Sequence, residues 1–208
     1  MKDEKLILNA RKPKGELGSQ LLDRMNESHE NLAIWGAGHL DIKETDYILD
    51  IGCGGGVNIE RFAKIATSGK VCGIDYSEVS VDKSRKLNKK AIDEGIVEVQ
   101  EASVSDLPYE DNTFDIITAF ETVYFWEDFL KDLKEIRRVL KPGGSFLICN
   151  EAYISREYPE EYHKKFIDIL DMKVYSEDEF KDYLLKADFV NIEMDTRDEW
   201  ICVISSKN

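Results

Sequence analysis

Several protein classes are excluded by what the sequence lacks. No window approaches the roughly twenty apolar residues that a membrane-spanning helix requires. The opening Met1-Lys2-Asp3-Glu4-Lys5 is followed by only Leu6-Ile7-Leu8 before charge resumes, too short an apolar core for a signal peptide. Cysteine is scarce: Cys53, Cys72, Cys149 and Cys202 lie far apart with no C-x-x-C pair, and three sit inside apolar runs. Neither a disulfide framework nor a metal site is therefore expected, and a reducing, cytoplasmic setting fits. Positive charge is short as well, with 28 Lys and Arg against 42 Asp and Glu and a net charge of -14. Such a field repels nucleic acid and anionic membrane surfaces alike. The one basic run, from Lys83 to Lys90, reads as the solvated face of a helix.

What is present is ordinary globular composition, 42% hydrophobic and 34% charged, over 208 residues. That length fits a single domain, 1–208, with no repeat and no clear linker. Residues 1–45 carry Leu17, Leu21, Leu22 and Met25 at helical spacing and predict a helical N-terminal cover ahead of a sheet core over 46–208. From Asp46 onward, short apolar runs alternate with amphipathic stretches, which predicts parallel βαβ units. Strands are expected at Tyr47–Ile51, Lys70–Asp75, Val97–Glu101, Phe114–Phe120 and Ser145–Asn150, with helices near Asn58–Thr67, Glu78–Glu94 and Glu127–Leu140. Lys-Pro-Gly-Gly at 141–144 ends the last of these. Further helices are expected near Glu160–Leu170 and from Ser176, where Ser176 and Glu179 form a capping box. Two final strands, near Val190–Thr196 and Trp200–Ser205, have so short a link that they must form an antiparallel hairpin.

The chemistry centres on Ile48-Leu49-Asp50-Ile51-Gly52-Cys53-Gly54-Gly55-Gly56-Val57, a strand running into a glycine cluster that opens a helix. Such glycines permit a sharp turn and close approach of a ligand. About twenty residues on, Val71-Cys72-Gly73-Ile74-Asp75 ends in a carboxylate, the spacing at which an acid reaches ribose hydroxyls. Tyr76 beside it is placed to stack on a base. Alternatively, Asp75 starts a turn and Tyr76 is a packed aromatic. A dinucleotide fingerprint needs a third glycine where Val57 stands, and no G-x-x-x-x-G-K-[ST] loop occurs. A nucleoside without phosphates suits these residues best.

The run Leu49–Gly56 resembles the first motif of the class I S-adenosylmethionine-dependent methyltransferases. The resemblance continues through Gly73-Ile74-Asp75-Tyr76-Ser77 and 107–115, and closes with Arg137-Arg138-Val139-Leu140-Lys141-Pro142-Gly143-Gly144. Its style is that of the small-molecule branch similar to the ubiquinone and menaquinone biosynthesis enzymes. The resemblance implies an α/β, Rossmann-like, seven-stranded and mostly parallel sheet of order 3-2-1-4-5-7-6, its last strand antiparallel and helices flanking it. It implies S-adenosylmethionine as cofactor, with Gly52, Gly54 and Gly56 under the methionine moiety, Asp75 on the ribose and Tyr76 flanking the adenine. Asp50, Cys53 and Phe120 join the expected cofactor contacts. Where relatives carry Gly-Asp-Ala before the Leu-Pro element, this chain has Ala102-Ser103-Val104. Ser103 and the Val104 amide are the expected substitutes at the adenine.

The expected reaction is in-line methyl displacement onto a small-molecule acceptor. Candidate acceptor residues stand at strand ends: Phe120-Glu121-Thr122 and Asn150-Glu151. Glu121, in an aromatic-rich loop, is a candidate base, as is His29. Trp35, Tyr124, Trp126 and Glu151 are candidate substrate contacts. A monomer or homodimer without nucleic acid, membrane or metal is expected. Three alternatives stand beside this reading: a catalytically silent S-adenosylmethionine-binding sensor or partner subunit, an NAD-dependent oxidoreductase weakened by Val57, and an RNA methyltransferase disfavoured by charge.

Overall fold

Segments of five to eleven residues form the strands, and most of the amphipathic stretches between them form helices. A computed structural model describes residues 7–208. The first six residues of the expected cover, including the opening Met1–Lys5, lie outside the described residues. Helices α1 (Gly15–Ser28) and α2 (Glu30–Ala37) precede β1 (Tyr47–Ile51), α3 (Val57–Ala63), β2 (Lys70–Asp75), α4 (Glu78–Leu87), α5 (Lys89–Asp93) and β3 (Val97–Glu101). There follow β4 (Phe114–Phe120), a 3-10 turn (Val123–Phe125), α6 (Phe129–Val139), β5 (Leu140–Asn150), α7 (Glu160–Leu170), α8 (Glu177–Lys186), β6 (Phe189–Arg197) and β7 (Trp200–Lys207). The seven strands are ordered β3-β2-β1-β4-β5-β7-β6, as the resemblance implied. The four cysteines are free and buried. Among the described residues no helix is long and apolar enough to cross a membrane.

The chain divides into two compact units, one ending at Ser103 and the other beginning at Val104. In the first, β2 pairs in parallel with both β1 and β3. Ile48, Leu49, Ile59, Phe62 and Ile74 are buried between sheet and helices. A side chain at Gly73 would collide with Ile59 and come within 3.2 Å of the Cys53 side chain, so glycine there lets α3 lie against β2. The helix expected over Glu78–Glu94 is broken at Asn88. That buried side chain donates from Nδ2 to the carbonyls of Gly56 and Ser84, each at 3.0 Å. Its backbone leaves helical geometry there, at ψ 13°.

In the second unit β4 and β5 are parallel, while β7 is antiparallel to both β5 and β6. Strand β5 begins at Leu140, earlier than the expected Ser145. Phe114 pairs with Leu140 and Ile116 with Ser145, so 141–144 bulges out between the two pairings. Gly143 takes the left-handed backbone, φ 77°, that this excursion needs. Helix α6 buries Phe129, Leu133, Ile136 and Val139, and Asp128 caps it by accepting the Lys131 amide at 3.1 Å. The Ser176–Glu179 capping box of α8 is present. The terminal hairpin forms as expected, with Arg197 opposite Trp200.

Arg138, near the end of α6, anchors the Leu-Pro element. Its guanidinium donates to the carbonyls of Leu107 at 3.0 Å and Tyr109 at 2.7 Å, to Asp111 at 2.9 Å, and to Glu135 from both Nη2 and Nε. Glu135 in turn accepts the Leu107 amide at 2.9 Å. The Arg138 bonds hold the Glu135 carboxyl below its ordinary range.

Candidate functional site

Strand β1 leads straight into the glycine turn, and β2 holds that turn in place. The amides of Gly52 and Cys53 both donate to the Ile74 carbonyl, at 2.8 and 2.9 Å. The glycines then differ in their surroundings. Gly54, φ 50°, has only a Leu22 methyl in ordinary contact at 3.6 Å where a side chain would project, which leaves room beside its backbone. At Gly56, φ 83°, the same direction is filled by Ser84 and Asn88. A side chain at Gly54 would make ordinary contact, whereas Gly56 is a packing glycine.

Asp75, buried at the end of β2, connects to this turn directly. Its Oδ2 accepts the Gly54 amide at 3.0 Å and its Oδ1 accepts the Ser77 amide at 2.8 Å. Burial raises its carboxyl above the ordinary range, and the two amides pull it back down. Cys53 is buried beside Asp75 and Asp50, and burial followed by those two acids pushes its thiol well up. It stays protonated and is no nucleophile. Asp50 is buried within β1, whereas Ser103 is exposed.

The N-terminal segment is fastened over the same unit. The Tyr76 hydroxyl donates to the Arg11 carbonyl, Ser77 Oγ donates to Pro13 O at 2.7 Å, and Lys83 reaches Ser19 O at 2.9 Å and Asp23 at 2.7 Å. Asn26 of α1 lies against Gly55 and Leu22 against Gly54. His29 joins α1 to α2, and Trp35 meets His39 edge-on at 5.1 Å.

The second unit gathers three of the predicted acceptor residues. Glu121 follows Phe120 at the end of β4 with a left-handed backbone, φ 57°, and its amide donates to Cys149 O at 3.0 Å. Its Oε1 accepts from the Tyr124 hydroxyl at 3.4 Å and from the Glu151 amide. Tyr124 Oη also accepts the Ala152 amide at 2.9 Å. Burial, then the charges of Glu121 and Glu151, keep the Tyr124 hydroxyl protonated well beyond its ordinary range. The Tyr124 ring packs with Ala152, Met172 and Val174. Trp126 is buried against Phe129 and donates to Thr122 Oγ1 at 3.4 Å. Val104 opens this unit. One residue that the strand-end pattern named without a role is Asn150: fully buried, with neither side-chain polar atom bonded among the described residues.

Residues 49–148 match the methyltransferase domain family. The matched residues run from β1 to β5. An uncharacterized methyltransferase of Schizosaccharomyces pombe is 35% identical over 130 residues, covering 58% of this chain and 46% of the relative. The demethylmenaquinone methyltransferase of Symbiobacterium thermophilum is 39% identical over 108 residues, covering 51% of this chain and 43% of its own. The chain thus spans about half the length of these curated relatives. Among solved structures, a SAM-dependent methyltransferase from Aquifex aeolicus superposes with a TM-score of 0.70 at 24% identity, over 90% of this chain and 97% of that one. The residues present fit the S-adenosylmethionine that the sequence implied. The glycine turn keeps bulky side chains away from the end of β1, and Asp75 offers a fixed carboxylate for sugar hydroxyls.

Proposed function

We propose that this chain methylates a small-molecule acceptor, with the cofactor seated on Gly52, Cys53, Gly54, Gly56, Asp50, Asp75 and Tyr76 and completed by Ser103, Val104 and Phe120. The observation that carries the reading is the bond from the Gly54 amide to Asp75, which joins the glycine turn to an acid at 3.0 Å. The sulfonium cofactor, when bound, supplies an electrophilic methyl group. The protein's part is then to orient an acceptor, exclude water and, where the acceptor carries a proton, receive it. Glu121 suits that last task. Two donors, the Tyr124 hydroxyl and the Glu151 amide, hold its carboxylate in one orientation, and because Tyr124 remains protonated it is a donor throughout the neutral range. Tyr124 is thus a positioning residue, and Trp126 stiffens the loop by packing on Phe129. His29 is proposed as a second proton acceptor, and Trp35 and Glu151 as acceptor contacts.

A small-molecule acceptor is supported by curated relatives whose names carry such substrates: demethylmenaquinone, 27-O-demethylrifamycin SV, and glycine with its methylated forms. The net charge of -14 supports it against nucleic acid. Calorimetry with S-adenosylmethionine and with NAD tests the binding half. Micromolar affinity for the former, about -8 kcal/mol, is expected, and a preference for NAD rejects it. A panel of hydroxyl, amine and thiol acceptors, read by release of S-adenosylhomocysteine, tests the transfer. Binding without turnover on any of them would favour the silent-sensor reading.

A further inference from the structure

Asn150 is the last residue of β5, and three main-chain groups beside it are already bonded. Cys149 O accepts the Glu121 amide, the Glu151 amide donates to Glu121 Oε1, and the Ala152 amide donates to Tyr124 Oη. Asn150 itself stands opposite Ile201 of β7 and is fully buried. A carboxamide has two N–H donors and an oxygen that accepts twice. Here both Oδ1 and Nδ2 lack partners among the described residues, and of the buried side chains in that condition only Asn150 has two polar atoms unmet. A fold selected for stability alone would place leucine at such a position, since the two side chains have nearly the same shape. A second observation concerns the residue that bonds the main chain on either side of Asn150. Glu121, a residue with a side chain, is held in left-handed backbone geometry, φ 57°, and conformations of that kind persist where the surrounding structure enforces them, commonly at functional sites.

We infer that the Asn150 carboxamide is a contact for the methyl acceptor and selects a hydroxyl group. This rests on the methyl-transfer reading above. The selection follows from the chemistry of the neighbours. The Glu121 carboxylate, held on the amide of the next residue, Glu151, disfavours an anionic group, and an ammonium group has no lone pair for Nδ2. A hydroxyl both accepts from Nδ2 and donates to Oδ1 or to Glu121, so one small neutral group answers the unmet atoms.

The test uses the full chain saturated with S-adenosylhomocysteine and the pair phenol and toluene, which differ by a hydroxyl in place of a methyl. Binding is read by saturation-transfer NMR for the wild type and for Asn150→Leu. The wild type is expected to favour phenol by at least about tenfold, because a site built to bond a hydroxyl rejects the analogue lacking it. In N150L that preference should vanish while S-adenosylhomocysteine affinity stays within about twofold. The ligand-free variant should also melt at a higher temperature than the wild type, since it removes unbonded polar atoms. A lower melting temperature would mean that the amide has a structural partner, and would overturn the inference. So would an unchanged phenol preference, or no phenol binding by the wild type. Failure of the wild type to bind S-adenosylhomocysteine would instead sink the underlying methyl-transfer reading.

Discussion

Replacing Gly56 with alanine separates two reasons for a glycine that are usually entangled. The residue lies at φ 83°, where a Cβ costs about 1–2 kcal/mol. The new methyl would also press on Ser84 Oγ, lie 2.7 Å from Asn88 Nδ2 and 2.8 Å from the Ser84 Cα. Two of those neighbours have little freedom. The Ser84 Cα belongs to the main chain of α4, and Asn88 Nδ2 is tied to two carbonyls. Overpacking of this kind costs about 1–3 kcal/mol, so Gly56→Ala should lose about 2–5 kcal/mol in urea unfolding. Gly95 is the matched control in the same unit, at φ 79° with nothing within 4 Å of its would-be Cβ. Gly95→Ala carries the backbone term alone, about 1–2 kcal/mol. The gain from a stiffer unfolded chain, about 0.4–1 kcal/mol, is common to both and cancels in the difference. Equal losses in the two variants would show that α4 yields freely, and the crowding argument would be wrong.

Three further outcomes are expected. Arg138→Lys replaces a planar fork with one ammonium and cannot reproduce the bonds to Leu107, Tyr109, Asp111 and Glu135; a loss of about 1–3 kcal/mol with faster hydrogen exchange over 107–111 is expected, and unchanged exchange would refute the clamp. Because the Glu135 carboxyl is held below its ordinary range in the fold, its ionised form stabilises the protein above the unfolded-state value near pH 4.3, and that contribution disappears as pH falls through the lowered folded value. The stability gap between wild type and Glu135→Gln should therefore be present at neutral pH and close on acidification, as followed by urea unfolding across pH. Tyr124→Phe strips the Ala152 amide of its acceptor and Glu121 of a donor, which should lower stability by about 1–3 kcal/mol and reduce kcat more than it raises KM. A variant with wild-type kcat would remove Tyr124 from the positioning of Glu121.

Features set by short-range chemistry were legible in the sequence. β1 to β4 were expected at their observed bounds because apolar runs between turn residues leave few other readings, and the distance from Gly54 to Asp75 along the chain follows from one βα unit. What tertiary contacts decide was not legible. The break at Asn88 depends on a carbonyl 32 residues away, that of Gly56. The early start of β5 depends on Phe114 pairing across the bulge to Leu140. Glu121 and Tyr124 were expected as separate site residues, a base and a pocket wall. Their hydrogen bond, and the ring of Tyr124 buried among Met172 and Val174, make one the support of the other. Asn150 stood in plain view at a strand end, yet its lack of partners depends on burial that no local pattern encodes.

The double grip of Asp75 on Gly54 and Ser77 makes recognition and rigidity a single equilibrium. Any ligand that binds this carboxylate only in its held orientation also favours the state in which the two amides are bonded, and any loosening of the loop misaims the acid. Slowed exchange of those two protons on adding a nucleoside would report occupancy from inside the backbone, with no need to know what receives the methyl.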